Sequence, residues 1–419
     1  MIPFNSFLIA YLSIYVLSSA TSLVIEIINA VYIKKCGEKL PSTFKGYIDE
    51  QELKKMNQYT LDNIHFGFVQ TAAGIVIFLF IILSGLLPWL DEYLSDTNFI
   101  VAGLIFFAVP GLLGAIADLP FDYYHSFVIE ERYEFNRKTF GIWVSDGLKS
   151  LIIACLLGII LLSTLFLMVR HLGSAWWVWA WATFSCFQLV MTVLYPTLIA
   201  PLFNKFVLLE DPDLTGRIKA LAEGEGVNIR GVYQMDATKR SRHTNAYLSG
   251  LGKTKRIVLF DSLVKSHERD EIVAVLAHEI GHLKKGHMKK ELLIISAFSL
   301  VLFFLASKMI IWEAMFQGFG FSRMSPYVGV FLVGVLWHPL GLFFSPIVTG
   351  LSRKFEREAD MYAVKITRSP GPFLRALKRM AKDNLSNLWP HPVYVWFNYS
   401  HPPLLERIKR LENYGEPEA

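Results

Sequence analysis

At 419 residues, 53% of them hydrophobic and only 18% charged, with a mean hydropathy of +0.39, the chain lies well outside the composition of a soluble globular protein and reads as an integral membrane protein. Its net charge of +5 carries no argument for nucleic acid, because membrane proteins collect lysine and arginine on cytoplasmic loops. Its three cysteines, Cys36, Cys155 and Cys186, lack metal-ligand spacing and read as small apolar filler rather than a disulfide framework.

In chain order, the first apolar run, 7–31, begins almost at Met1 without a basic leader or a cleavage site, so it reads as a retained span. Further stretches able to cross about 30 Å of hydrocarbon lie at 64–90, 99–117, 148–168, 175–203, 292–311 and 327–348, which predicts roughly seven transmembrane helices. The loop after the first span carries Lys34, Lys35, Lys39, Lys45, Lys54 and Lys55, whereas the loop after the second has no basic residue. The alternation continues, with Arg132, Arg137 and Lys138 on one side against a lone Arg170 and a lone Arg323 on the other. The basic side is expected to be cytoplasmic, with the amino terminus outside and both large polar regions, 204–290 and 352–419, in the cytoplasm.

Within the first polar region, GVYQMD, TNAYLSG and RIVLFDS read as short strands, the last two joined by a hairpin-like turn at Gly250-Leu-Gly252-Lys. Such a sheet has an edge to offer, and Asn245-Ala-Tyr-Leu-Ser is the strand best suited to hold an extended peptide through main-chain hydrogen bonds; it could equally be a structural hairpin. The following segment, RDEIVAVLAHEIGHLKKGHMKK, repeats apolar residues at helical spacing and holds His278, Glu279 and His282 as His-Glu-x-x-His. Four residues apart on a helix, the two imidazoles sit about 40° from each other and can share one metal ion with the glutamate beside them, the signature of a zinc peptidase. Gly281, costly in a helix interior, implies a close neighbour there.

Two histidines leave a catalytic zinc one protein ligand short. His287 follows His278 by nine residues, which on a continuous helix points it to the opposite face. Downstream, Ser352-Arg-Lys-Phe-Glu-Arg-Glu-Ala-Asp360 offers Glu356 and Asp360 on one face, with Glu358 pointing away. One of the pair as ligand and the other holding a ligand histidine's second ring nitrogen is the expected arrangement.

Together with Pro120-Phe-Asp-Tyr-Tyr-His-Ser-Phe-Val-Ile-Glu-Glu-Arg132, Ile199-Ala-Pro-Leu-Phe-Asn-Lys-Phe206, Thr244-Asn-Ala-Tyr247 and Ser400-His-Pro-Pro-Leu-Leu-Glu-Arg407, these motifs resemble the type I CAAX prenyl proteases. The resemblance implies one zinc ion on His278, His282 and Glu356, Glu279 as general base, and Asn245, Ala246 and Tyr247 as the substrate-pairing strand. It implies His401 and Arg407 near the scissile peptide, with Asp360 behind a ligand histidine. His401 can donate a hydrogen bond to a developing oxyanion, and Arg407 can hold a nearby carboxylate or the substrate's terminal carboxylate. The fold implied is an all-α multi-pass membrane protein in which seven helices enclose a large chamber, with a mainly helical cytoplasmic zinc metalloprotease region carrying a small β-hairpin sheet. The expected division is five transmembrane helices in 1–203, the metalloprotease region in 204–290, two more spans in 291–351, and a C-terminal region with the third zinc ligand in 352–419. Expected partners are the lipid bilayer and a peptide or protein substrate, prenylated proteins included; nucleic acid is not expected, and the chain reads as a monomer. Its compactness favours a bacterial cell membrane, with the endoplasmic reticulum as the eukaryotic counterpart.

Two rival readings meet specific obstacles. An intramembrane zinc protease would bury Lys284, Lys285, Lys289 and Lys290 at a few kcal/mol each. A transporter would account for His338 within a span, but the chain shows no paired repeat. His338, followed by Pro339, reads as a kink facing the interior. A protease acting on non-prenylated substrates remains the nearest alternative.

Overall fold

The computed structural model describes residues 4–250 and 255–414; the turn expected after Gly250 lies outside them. Among the described residues, seven helices are long and apolar enough to cross a membrane: Ser6–Cys36, Glu50–Leu83, Phe99–Arg132, Phe140–His171, Gly173–Phe203, His287–Met309 and Pro326–Thr367. Their starts follow ordinary capping chemistry. Asn5 accepts from the Leu8 amide, and Asp49 forms a capping box with Glu52. The second span departs from the expected 64–90: it begins at Glu50 and stops at Leu83, because Gly85 adopts a φ of 85° and restarts the chain as a short helix, Leu86–Tyr93. The last span bends at a tight turn over His338–Leu340, where Pro339 cannot donate its amide.

These helices do not pack as a solid bundle. In Phe140–His171 only 6% of the most apolar window is buried. A cavity of about 540 Å³ lies among the second, third and last spans, lined by Gly74, Phe107, Gly111, Gly114, Phe331 and His338. His338 faces this interior, stacked on Phe78 at 5.4 Å. The lysine-poor end is closed by buried Asp91, which accepts from Arg323 Nε at 2.7 Å, Ser325 Oγ at 2.9 Å and the Tyr327 hydroxyl at 2.6 Å.

The polar region carries a four-stranded mixed sheet instead of a simple hairpin: β1 (Phe206–Leu208), β2 (Val232–Met235), β3 (Ala246–Ser249) and β4 (Arg256–Phe260), in the order β1-β2-β4-β3. β2 and β4 run parallel, joined through a crossover that contains β3 itself, and β1 was hidden in sequence by having only three residues. β3 pairs antiparallel with β4 and forms one edge of the sheet. Leu214, Ile218, Ile257, Leu259, Ile272 and Leu276 fill the core between the sheet, the helix Pro212–Gly224 and the helix Arg269–Lys285 that bears the two motif histidines.

Candidate metal centre

The histidine helix is anchored at both ends. Glu268 and Glu271 form a capping box at its start, and the fully buried Glu271 carboxylate faces Arg379 Nε at 3.3 Å. At its end Gly286 takes a φ of 68° and accommodates a left-handed cap that a side chain would strain. Along its length it packs on the helix Gly341–Thr367, here called the acid helix, through Ala274 and Ala277 against Ala363 and Val364. Gly281 sits at the closest approach, which answers the cost of a glycine in that position.

This contact brings the expected groups together. The Nε2 atoms of His278 and His282 lie 3.1 Å apart. Glu356 places Oε2 at 3.4 Å from His278 Nε2 and Oε1 at 3.2 Å from His282 Nε2. His278, His282 and Glu356 each offer one ligand atom, all within 4.8 Å of one another. Of the two carboxylates left open in the sequence, Glu356 faces the point of convergence. Asp360 stands behind it, with Oδ1 at 2.8 Å from His278 Nδ1.

Asp360 is in turn held by Arg407, whose Nε and Nη2 donate to its two oxygens at 2.8 and 2.6 Å. Of the two carboxylates Arg407 could hold, the structure therefore pairs it with the protein's own, behind His278. His401 does reach the centre, with Nε2 at 3.4 Å from Glu356 Oε1 and Nδ1 at 2.9 Å from Ser400 Oγ. Its loop is pinned by buried Arg353, whose guanidinium donates to the carbonyls of Val395 at 2.9 Å and Tyr399 at 2.7 Å. Nothing in the sequence alone marked Arg353 for that task.

The local field follows from these neighbours. Burial opposes charge on His278, but the Asp360 and Glu356 carboxylates outweigh it and push the imidazole up to about 9. Glu279 is raised above the ordinary carboxylate value, chiefly by burial, with the positive charge of nearby Arg407 among the opposing influences. His401 lines a recess of about 350 Å³, where partial burial lowers its imidazole below the usual value.

Two residues set aside in the sequence take unexpected places. Because the histidine helix ends at Gly286, the continuous-helix argument fails for His287: it starts a new helix, His287–Met309, and its Nδ1 lies 3.0 Å from His282 Nδ1. Glu358 does point away from the three convergent ligands, and meets His287 Nε2 at 3.1 Å. The glycine cap was the one sequence signal that could have revealed this. At the sheet, the Asn384 side chain accepts from the Thr244 amide at 2.9 Å and donates to the Thr244 carbonyl at 3.2 Å, clamping the chain immediately before Asn245. Asn245 is exposed, Ala246 buried and Tyr247 half-buried, and the Phe260 amide donates to the Asn245 carbonyl at 3.0 Å.

Comparison with known proteins places this arrangement. A family model described as "CAAX prenyl protease N-terminal, five membrane helices" matches residues 29–205, and "Peptidase family M48" matches 208–415. A CAAX prenyl protease 1 homolog of Arabidopsis thaliana is 34% identical over 89% of this chain and 90% of its own. The chain belongs to the CAAX prenyl protease family of M48 peptidases. The CAAX prenyl protease 1 of Saccharomyces cerevisiae is 32% identical, covering 92% of this chain and 91% of its own. The crystal structure of S. mikatae Ste24p superposes with a TM-score of 0.92 at 27% identity, covering 98% of this chain and all of that one. As a member of this family the protein is a metalloendopeptidase integral to a membrane.

The residues present fit the metal that the family implies. Glu356 Oε2 is buried and has no hydrogen-bond donor, and two imidazole nitrogens face the same point from 3.1 Å apart. With each Nδ1–H turned outward and the proton displaced from His278 Nε2, both Nε2 lone pairs and the carboxylate converge where a cation satisfies all three.

Proposed function

We propose that the protein is a zinc-dependent endopeptidase that cleaves near the C-terminus of prenylated or other membrane-associated proteins, with its active site on the cytoplasmic side. The observation that carries this reading is the convergence of His278, His282 and Glu356 beside Glu279, close to an edge strand. The donor set, two imidazoles and one carboxylate, suits zinc. The names of the relatives supply the substrate class, and the basic loops around Lys39 and Lys138 supply the orientation.

Zinc bound by His278, His282 and Glu356 would polarise the scissile carbonyl and acidify water. Glu279 takes the proton as water oxygen bonds to the carbonyl carbon, and returns it to the amide nitrogen as the C–N bond breaks. His401 donates its N–H to the carbonyl oxygen as negative charge develops there, oriented by Ser400. Asp360 Oδ1, 2.8 Å from His278 Nδ1, is placed to take that nitrogen's proton and so favour the tautomer that leaves Nε2 free, with Arg407 holding Asp360 in place. Substrate backbone pairs with β3: alternation from the Asn245–Phe260 hydrogen bond turns the backbone groups of Ala246 and Leu248 toward a strand laid along that edge.

The test is mass spectrometry of a farnesylated CAAX peptide incubated with the purified protein. Release of the terminal tripeptide that stops on zinc chelation and returns on zinc addition is expected. Equal cleavage of the unprenylated peptide would move the substrate class to membrane-associated proteins in general, and activity indifferent to chelation would end the zinc assignment.

A further inference from the structure

His287 belongs to neither the ligand set nor the hydrophobic core as sequence reasoning would place it. It is 1% exposed, and its ring stacks on Phe355 of the acid helix at 4.4 Å and 10°. Both ring nitrogens are engaged: Nδ1 lies 3.0 Å from His282 Nδ1, and Nε2 lies 3.1 Å from Glu358 Oε2. One proton arrangement satisfies every contact. His282 turns Nε2 toward His278 and Glu356, so its proton sits on Nδ1 and is donated to His287 Nδ1. His287 then carries its own proton on Nε2 and donates it to Glu358.

We propose that His287, held by Glu358, is the positioning residue of His282: it fixes the tautomer and the ring angle with which His282 presents Nε2 to a metal ion. This rests on the metal assignment made above. The centre then has two outward chains of contacts of different chemistry. His278 is backed by Asp360 and Arg407, a charged pair, whereas His282 is backed by a neutral imidazole and then a carboxylate that is 31% exposed. The acid helix serves both sides. Glu356 faces the metal position, while Phe355 and Glu358 grip the residue that steadies the opposite ligand. The left-handed cap at Gly286 makes this possible, since it swings the chain round so that residue 287 meets residue 282.

A positioning role and a packing role predict opposite orders for two substitutions. His287→Phe keeps the stack on Phe355 and removes the acceptor; His287→Asn keeps an acceptor at the δ position and loses most of the stack. In the full-length protein in detergent, zinc affinity measured by competition with a graded chelator should fall about 10- to 100-fold in His287→Phe and stay within a few-fold of wild type in His287→Asn. The visible spectrum of the cobalt-substituted protein should change in His287→Phe and be largely restored in His287→Asn. Wild-type affinity in His287→Phe with a loss in His287→Asn would overturn the proposal in favour of packing. Should His287→Phe fail to accumulate, Glu358→Ala decides: a several-fold weaker zinc affinity supports the relay, and an unchanged one overturns it. His278→Ala and His282→Ala serve as references. Were both to retain zinc, the metal assignment itself would fall, an outcome distinct from loss of zinc in those two with none in His287→Phe.

Discussion

Gly281 lies directly against Ala359: a Cβ at position 281 would come within 3.1 Å of both the Cα and the carbonyl oxygen of Ala359. Backbone cannot yield as a flexible side chain would, so Gly281→Ala should move the histidine helix a few tenths of an ångström away from the acid helix. Despite alanine's higher helix propensity, a loss of about 1 to 3 kcal/mol is expected. The separation should also widen the distance between the histidines and Glu356. Thermal unfolding and zinc content measured together should both fall; a variant more stable than wild type would mean that propensity outweighs the contact.

Asp360 joins His278 to Arg407, and removing it should act twice. Asp360→Ala takes the acceptor from the His278 imidazole, with a 10- to 100-fold loss of zinc affinity expected, and leaves the Arg407 guanidinium without its partner. Arg407→Lys should recover only part of the wild-type affinity, because one ammonium cannot reproduce the two parallel hydrogen bonds to Asp360. Chelator competition on the three proteins gives the ranking.

Glu279 and His401 should separate chemistry from metal retention. On the proposed mechanism, Glu279→Ala is expected to abolish turnover with zinc stoichiometry unchanged, since it would remove the proton acceptor and no ligand. His401→Ala should lower kcat by about a hundredfold, the scale of one oxyanion donor, with KM little altered. A defect confined to KM would make His401 a wall of the recess.

Asn384 offers Thr244 an amide where a neighbouring strand would stand. Asn384→Ala should loosen the start of β3 and raise KM more than it lowers kcat. The comparison is made on a peptide long enough to lie along Ala246 and Leu248. Equal losses in both constants would place Asn384 in the catalytic machinery instead.

His267 supplies a pH dependence independent of the metal. Burial, reinforced by Arg379, lowers its pKa to about 4 from an unfolded value near 6.5. Between these values the unfolded chain binds the extra proton, so stability is fully present above pH 6.5 and is lost as pH falls toward 4. His267→Gln should flatten that acid limb of the unfolding temperature, measured on zinc-free protein so that ligand protonation does not contribute.

What the sequence determined by itself was everything governed by local periodicity and composition. The seven spans followed from apolar runs, the motif helix from its repeat, and the shared face of Glu356 and Asp360 from a four-residue spacing. The kink at His338-Pro339 and the edge position of the Asn245 strand were legible for the same reason. Residue spacing left open which carboxylate meets the two Nε2 atoms and which backs His278, because both share one helix face; the resemblance named Glu356, and the docking at Gly281 sets the register that brings it there. Tertiary structure alone assigned Arg407 to Asp360 from 47 residues away and Asn384 to Thr244 from 140. His287 shows the limit most directly. Helical spacing put it on the wrong side, because a single glycine with a φ of 68° ended the helix one residue too early for the period to hold.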